Sequence, residues 1–295
     1  MTERRNKSID PQVVDLYNDY IHGDMPRRAF LRRVVEIAGS AAAATTMIAL
    51  VEPNWAWGQQ VDPSDERLAT GYVDYAGSTG PVRAYLAKPA GAEGPLPGVL
   101  VIHENRGLNA HIEDVARRAA LSGYVALAPD GLTYVGGGLA DQEAARDRFA
   151  AADVSRITAD VMAGMPYLAA REDCTGKVGV VGFCYGGGVA LLCAANEKDT
   201  TAAVCFYGRA LSGDDVAKVR IPVMMHYAGK DERINAMIPE FRAALDSHGV
   251  AYSLNMYPET GHGFHNDTSQ ARYDEAAASL AWRRTMQFFD VYLKG

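Results

Sequence analysis

A doubly wound α/β domain preceded by a helical arm is the fold class this sequence predicts. Three observations carry the prediction. From Gly98 onward, apolar runs recur without alternation, the pattern of strands buried on both faces. Helical stretches separate them at short spacing, as in a mostly parallel sheet. Between one such run and the next helix lies a glycine-flanked turn, Gly182-Phe183-Cys184-Tyr185-Gly186.

The elements follow in order. Residues 71–76 and 82–88 alternate as an antiparallel edge pair does. Continuous apolar strands are expected at 98–103, 124–128, 178–181, 202–207, 223–227 and 252–256. Helices are expected at 112–121, 141–170, 185–195, 235–248 and 271–292. Gly136-Gly137-Gly138 marks a loop where a lid or substrate loop would lie.

Residues 1–61 differ from this body, which occupies 62–295. Val13, Val14, Leu16, Tyr17, Tyr20 and Ile21 form an amphipathic helical run. After Pro26, the sequence Arg27-Arg28-Ala29-Phe30-Leu31-Arg32, a mild apolar stretch from Ala38 to Leu50, Pro53 and Ala56 resemble a twin-arginine export signal. Glu36 interrupts that stretch. The competing expectation is a retained helical arm packed on the domain or on a second copy in a homodimer. Export implies a periplasmic protein, retention a cytoplasmic one. The apolar stretch is too short and too poor in large side chains for a stable membrane span.

Composition narrows the partners. With 295 residues, 48% hydrophobic and 22% charged, the chain is ordinary for a globular protein. A net charge of -7 argues against a general nucleic-acid binder. The four cysteines form no C-x-x-C pair and no zinc-like spacing with histidine. Cys193 and Cys205 sit in apolar runs and are expected in the core. Cys174 sits in a polar turn, where a free surface thiol is expected.

The turn around Cys184 carries the chemistry. It reads G-x-C-x-G between an apolar run (177–181) and a small-residue helix, the context of a nucleophile elbow. A helix N-terminus favours a thiolate and offers free amides to an oxyanion. Taken alone, the pentapeptide also fits a phosphate-binding turn or a small buried thiol.

Such a thiol needs a base, and the base an orienting acid. Asp231 follows the strand at 223–227, and His262 follows the strand ending near Met256, in Gly261-His262-Gly263. The order Cys184, Asp231, His262 is that of an α/β-hydrolase triad. His226 is expected in the core and His248 at a helix end; His22 precedes a helix break; His265 is the rival to His262. The backbone N–H groups of Tyr185 and Asn105 are the expected oxyanion hole. Glu104, at a strand end beside this site, needs a partner or a task.

Four segments together resemble the dienelactone hydrolase (carboxymethylenebutenolidase) family: His103-Glu104-Asn105-Arg106-Gly107-Leu108, Gly182 to Gly187, Gly229-Lys230-Asp231 and Gly261-His262-Gly263-Phe264. The similarity runs from about Arg67 to the C-terminus. The arm resembles that of a bacterial subgroup of the family. The resemblance implies an α/β-hydrolase fold with Cys184 as nucleophile, His262 as base and Asp231 as orienter. It also implies that Glu104 bonds the resting thiol until substrate displaces it. Asn266 stands where family members acting on dienelactone carry an arginine for the substrate carboxylate. Arg106, Arg146, Arg148 and Arg209 are the other candidates for substrate binding. The implied reaction is hydrolysis of a lactone or small ester through a thioester, with no metal or organic cofactor. A peptide or haloalkanoate substrate, or a redox-sensing scaffold using Cys184 without catalysis, are the competing expectations.

Overall fold

The structure is a computed structural model that describes residues 9–23, 25–54, 58–138 and 142–295, without the side chains of Gln142 and Glu143. Ala56 and Asp141, which bound two of the expected segments, lie outside the described residues.

The N-terminal region folds as three helices: α1 (Pro11–His22), α2 (Arg27–Ala38) and α3 (Ala41–Val51). Asp10 caps α1 by accepting from the Gln12 amide. Val13, Leu16, Tyr17 and Tyr20 recur at helical spacing and pack against Phe30, Val34, Ala44 and Val51 in a core of their own. Among the described residues, no single helix is long and apolar enough to cross a membrane; α2 and α3 meet at 116°.

Eight strands then build one sheet in the order β1-β2-β4-β3-β5-β6-β7-β8. β1 (Leu68–Ala76) and β2 (Pro81–Pro89) are the antiparallel edge pair, and β2 also runs antiparallel to β4 (Val125–Pro129). All remaining neighbours are parallel: β3 (Leu96–Ile102), β5 (Cys174–Phe183), β6 (Thr200–Phe206), β7 (Val223–Ala228) and β8 (Tyr252–Tyr257). Alternate residues serve opposite cores, which is why these strands read as unbroken apolar runs. Along β3, Val99 and Val101 enter one core and Leu100 and Ile102 the other.

Helix α4 (Ala110–Leu121) covers the first face. The helix expected over 141–170 is three helices: α5 (Gln142–Ala151), α6 (Val154–Met162) and α7 (Gly164–Ala169). Asp153 restarts the chain as the cap of α6, accepting from the Ser155 and Arg156 amides. Pro166 lacks the N–H that would join α6 to α7. α8 (Tyr185–Asn196) packs on the second face, followed by α9 (Gly213–Val216), α10 (Glu232–Asn235) and α11 (Ile238–Ser247). α11 is the helix expected over 235–248, starting three residues later, and α10 is a separate turn that ends at Asn235. α12 (Glu275–Phe289) returns to the first face, starting at the Asp274 cap rather than at Ala271.

Cys193 and Cys205 are fully buried, as expected. Cys174 is not a surface thiol: it begins β5, is buried, and burial pushes its pKa up. The Gly136–Gly138 loop is pinned, with the Gly138 amide donating to Asp130 Oδ2 at 2.8 Å and Arg148 donating to the Gly137 carbonyl.

A buried charge network fastens the linker between arm and sheet. The Val61 amide donates to Asp114 Oδ1 at 2.7 Å, and Arg117 donates back to the Val61 carbonyl. Arg118 bridges Asp114 and Asp267. Asp267 also accepts from His111 and Gln60 at 2.8 Å each.

Candidate active site

β5 delivers Cys184 at the carboxyl edge of the sheet, at φ 53° and ψ -112°, immediately before the first residue of α8. That backbone is strained for a residue with a Cβ, and the neighbouring glycines make it feasible. A Cβ on Gly182 would strike the Gly186 carbonyl, and one on Gly186 the Ile102 carbonyl. The Cys184 amide donates to the Phe206 carbonyl at 3.0 Å, tying the turn to β6. Tyr185, first in α8, contributes an amide that no carbonyl inside the helix can satisfy.

Asp231 caps α10 just after β7, and its carboxylate accepts from His262 Nδ1–H at 2.5 Å. The bond to a carboxylate fixes the tautomer, so Nε2 is the nitrogen that serves the sulfur. His262 Nε2 is buried, makes no hydrogen bond and lies within 4.8 Å of Cys184 Sγ. Burial by itself would lower the affinity of this imidazole for a proton. The facing sulfur and Asp231 outweigh burial and raise its pKa to about 9. Asp231 itself would be raised by burial, but the bond to His262 and the charge of Arg233 leave its carboxyl below the usual range. Cys184, His262 and Asp231 therefore form the triad their order predicted, gathered from the ends of β5, β7 and β8.

The rival histidines are elsewhere. His265 stacks on Phe183 in the core with neither ring nitrogen bonded. His226 is buried between Tyr257 and Thr285, and His248 ends α11. His22 is the correction. From the last turn of α1 its Nε2 reaches 3.3 Å from Cys184 Sγ, in hydrogen-bond geometry, while its Nδ1–H donates to the Asn18 carbonyl at 2.9 Å. Its ring meets that of His262 edge-on at 4.4 Å. The break after Gly23 was a local sign of a helix end, but nothing in one dimension places that end on the thiol.

Glu104 does not bond the resting thiol. Its Oε1 accepts from the Tyr207 hydroxyl at 3.3 Å and its Oε2 from Asn266 Nδ2 at 2.7 Å. Asn266 is buried and occupied on both sides, its Oδ1 accepting from Thr268, so it does not face a substrate. Tyr207, unforeseen, has a positive φ of 39° and lays its ring 5.0 Å from that of His262.

The candidate arginines divide. Arg106 donates to the Tyr17 hydroxyl, and Arg146 donates to the Tyr20 carbonyl while lying 3.6 Å over the Tyr20 ring. Both hold the arm. Asn105 joins them, its side-chain amide donating to the Ile21 carbonyl at 2.8 Å. Arg148 is spent on the Gly137 carbonyl. Arg209 lines a cleft of about 610 Å³ that opens onto Cys184, with Arg233, Arg146 and the apolar Phe149 and Leu192.

A strained cysteine at a helix N-terminus, a histidine behind it and a carboxylate behind that define a cysteine-dependent hydrolase of the α/β-hydrolase fold. The family model "Dienelactone hydrolase family" matches residues 82–293, and a second model, "YqhI-like", matches residues 1–38. The chain belongs to the dienelactone hydrolase family. It is 30% identical over 249 residues to an Escherichia coli K12 protein assigned as a carboxymethylenebutenolidase, covering 79% of this chain and 90% of that one. It is 34% identical over 256 residues to a Bradyrhizobium protein assigned as a 2-oxo-3-(5-oxofuran-2-ylidene)propanoate lactonase, covering 78% and 97%. A crystal structure assigned as a dienelactone hydrolase from Klebsiella pneumoniae superposes with a TM-score of 0.69 at 28% identity, covering 76% of this chain and 99% of that one.

Proposed function

We propose that the chain hydrolyses a lactone or small carboxylic ester through an acyl-thioester on Cys184. The observation that carries this reading is the Asp231–His262 bond beside a thiol held in the strained elbow. The sulfur attacks the carbonyl, and the oxyanion rests on the backbone amides of Tyr185 and Asn105. The alcohol or enol leaves with a proton from His262. His262 then takes a proton from water, which cleaves the thioester and restores the thiol. An enolate leaving group suits a thiol nucleophile, because the tetrahedral intermediate must expel oxygen rather than sulfur.

Arg209 and Arg233, on the cleft wall, support a substrate that carries an anionic group, and Phe149 and Leu192 support an apolar body. Glu104 then serves by holding Tyr207 and Asn266 in place. A panel of lactones and aryl esters, with and without a carboxylate, tests this: hydrolysis by the wild type and none by Cys184→Ala is expected. Undiminished turnover by Cys184→Ala would refute the assignment.

For the arm, retention is the reading favoured over export through the twin-arginine-like stretch and over pairing with a second copy. Phe30 and Val34, beside the paired arginines, are buried in the arm's core. The Asn54 amide donates to the Thr268 carbonyl and Ser269 to the Val51 carbonyl, on the catalytic body of the same chain. The intact mass of protein from its native host tests retention, and its size in solution tests pairing.

A further inference from the structure

Two imidazoles face one sulfur. His22 Nδ1–H is committed to the Asn18 carbonyl and His262 Nδ1–H to Asp231 Oδ2, so in each ring Nε2 is the nitrogen left for the sulfur. The sulfur and the two Nε2 atoms share one proton, on the thiol or on His262, and it can join the sulfur to only one of the rings. The nitrogen left over, His262 Nε2, is buried without a partner in a side chain that is 4% exposed. A buried polar atom without a partner is costly. A cation placed between the three atoms resolves the shortage, since each of them would then donate a lone pair to it.

We infer that His22, Cys184 and His262 form a site for a soft divalent cation of the zinc type, and that its occupancy silences the nucleophile. The three donor atoms lie within 4.8 Å of one another, and His22 Nε2 is 3.3 Å from Sγ. Ligands on a tetrahedral zinc ion are about 3.5 Å apart, so only small side-chain movements are needed. Two imidazoles and one thiolate are a donor set that zinc prefers over magnesium or calcium. Both rings already carry the outer hydrogen bond that orients a metal-bound histidine, one to a carbonyl and one to a carboxylate. The fourth position of a tetrahedral ion would be left to water. On binding, the sulfur–metal bond forms, the one proton shared by Cys184 and His262 leaves to solvent, and no electron is transferred. The arm is essential, because His22 is one of the three donors and the catalytic body supplies the other two.

The metal-binding part stands on geometry; the inhibition rests on the hydrolytic reading of Cys184. Cobalt(II) titration of the purified full chain, freed of metal, reads binding without any substrate. The wild type is expected to develop a thiolate-to-cobalt charge-transfer band at one ion per chain, displaced by zinc. Cys184→Ser is expected to lose the band, and His22→Ala to bind at least about tenfold more weakly, with both variants showing a wild-type circular dichroism spectrum. In the ester assay, zinc is expected to inhibit the wild type, with reversal by a chelator. No band in the wild type, or equal affinity in a folded His22→Ala, overturns the site. Metal binding without hydrolysis of any ester would sink the hydrolytic reading and leave the site standing; hydrolysis without metal binding would do the opposite.

Discussion

His262 and His22 reach the same sulfur from two regions that support an imidazole in opposite ways. The catalytic body backs His262 with the Asp231 carboxylate, and the facing sulfur together with that carboxylate raises its pKa to about 9. The arm backs His22 with the neutral Asn18 carbonyl. Burial, then the charges of His262 and Arg233, push its pKa well below the ordinary histidine value. One ring stores a proton and the other offers only a lone pair. Nearness to the nucleophile alone thus does not make a base: His262 holds its proton through the sulfur and the Asp231 carboxylate together, and His22 has no carboxylate behind it.

The largest expected effect is the removal of the shared atom. Cys184→Ala should lower kcat/KM on an activated ester by at least about 10⁴-fold, measured by stopped-time product release. Next is the support of His262. Asp231→Asn should cost about 10²–10⁴-fold in kcat/KM. It should also move the His262 titration, followed by NMR, down from about 9 toward the ordinary imidazole range. A midpoint that stays put would show that the carboxylate does not distinguish the two histidines.

How far this contrast was legible in the sequence depends on range. Six of the eight strands were readable because burial on both faces leaves unbroken apolar runs such as Val178–Val181, and the antiparallel edge pair was readable from its alternation. The triad was readable because each member sits at a strand end in a short, glycine-marked motif. The long stretch after Gly138 read as one helix because its composition stays helical, while the Asp153 cap and Pro166 divide it. Arg106 and Arg146 read as substrate ligands because a charge in a loop does not declare its partner, which here is a tyrosine of the arm. His22 was passed over for the same reason: its contact spans 162 residues and follows from how α1 docks, not from local pattern.

Two smaller effects sharpen the contrast by loosening each region separately. Asp267 ties α4 to the linker through His111, Arg118 and Gln60. Asp267→Asn should lower stability by about 3 kcal/mol near pH 7, read by urea unfolding. Burial would raise this carboxyl's pKa, but His111 and Arg118 prevail and hold it far below the usual range. A depressed folded-state pKa stabilises above the unfolded value and loses that benefit as pH falls. The gap between wild type and variant should therefore shrink below about pH 3.9. Arg146→Ala removes the stacking on Tyr20 and the bond to its carbonyl, a loss of about 1–2 kcal/mol. Hydrogen exchange should then quicken in α1 and leave β3 and β5 unchanged.

The most direct test is the intact mass of the protein mixed with an activated aryl ester. His262→Ala should slow release of the acyl group more than its uptake. The variant should gain the mass of one acyl group, mapped by peptide digestion to Cys184, and the wild type should show the same adduct transiently. An adduct on any other residue, or steady turnover by a Cys184→Ala chain, would contradict the account.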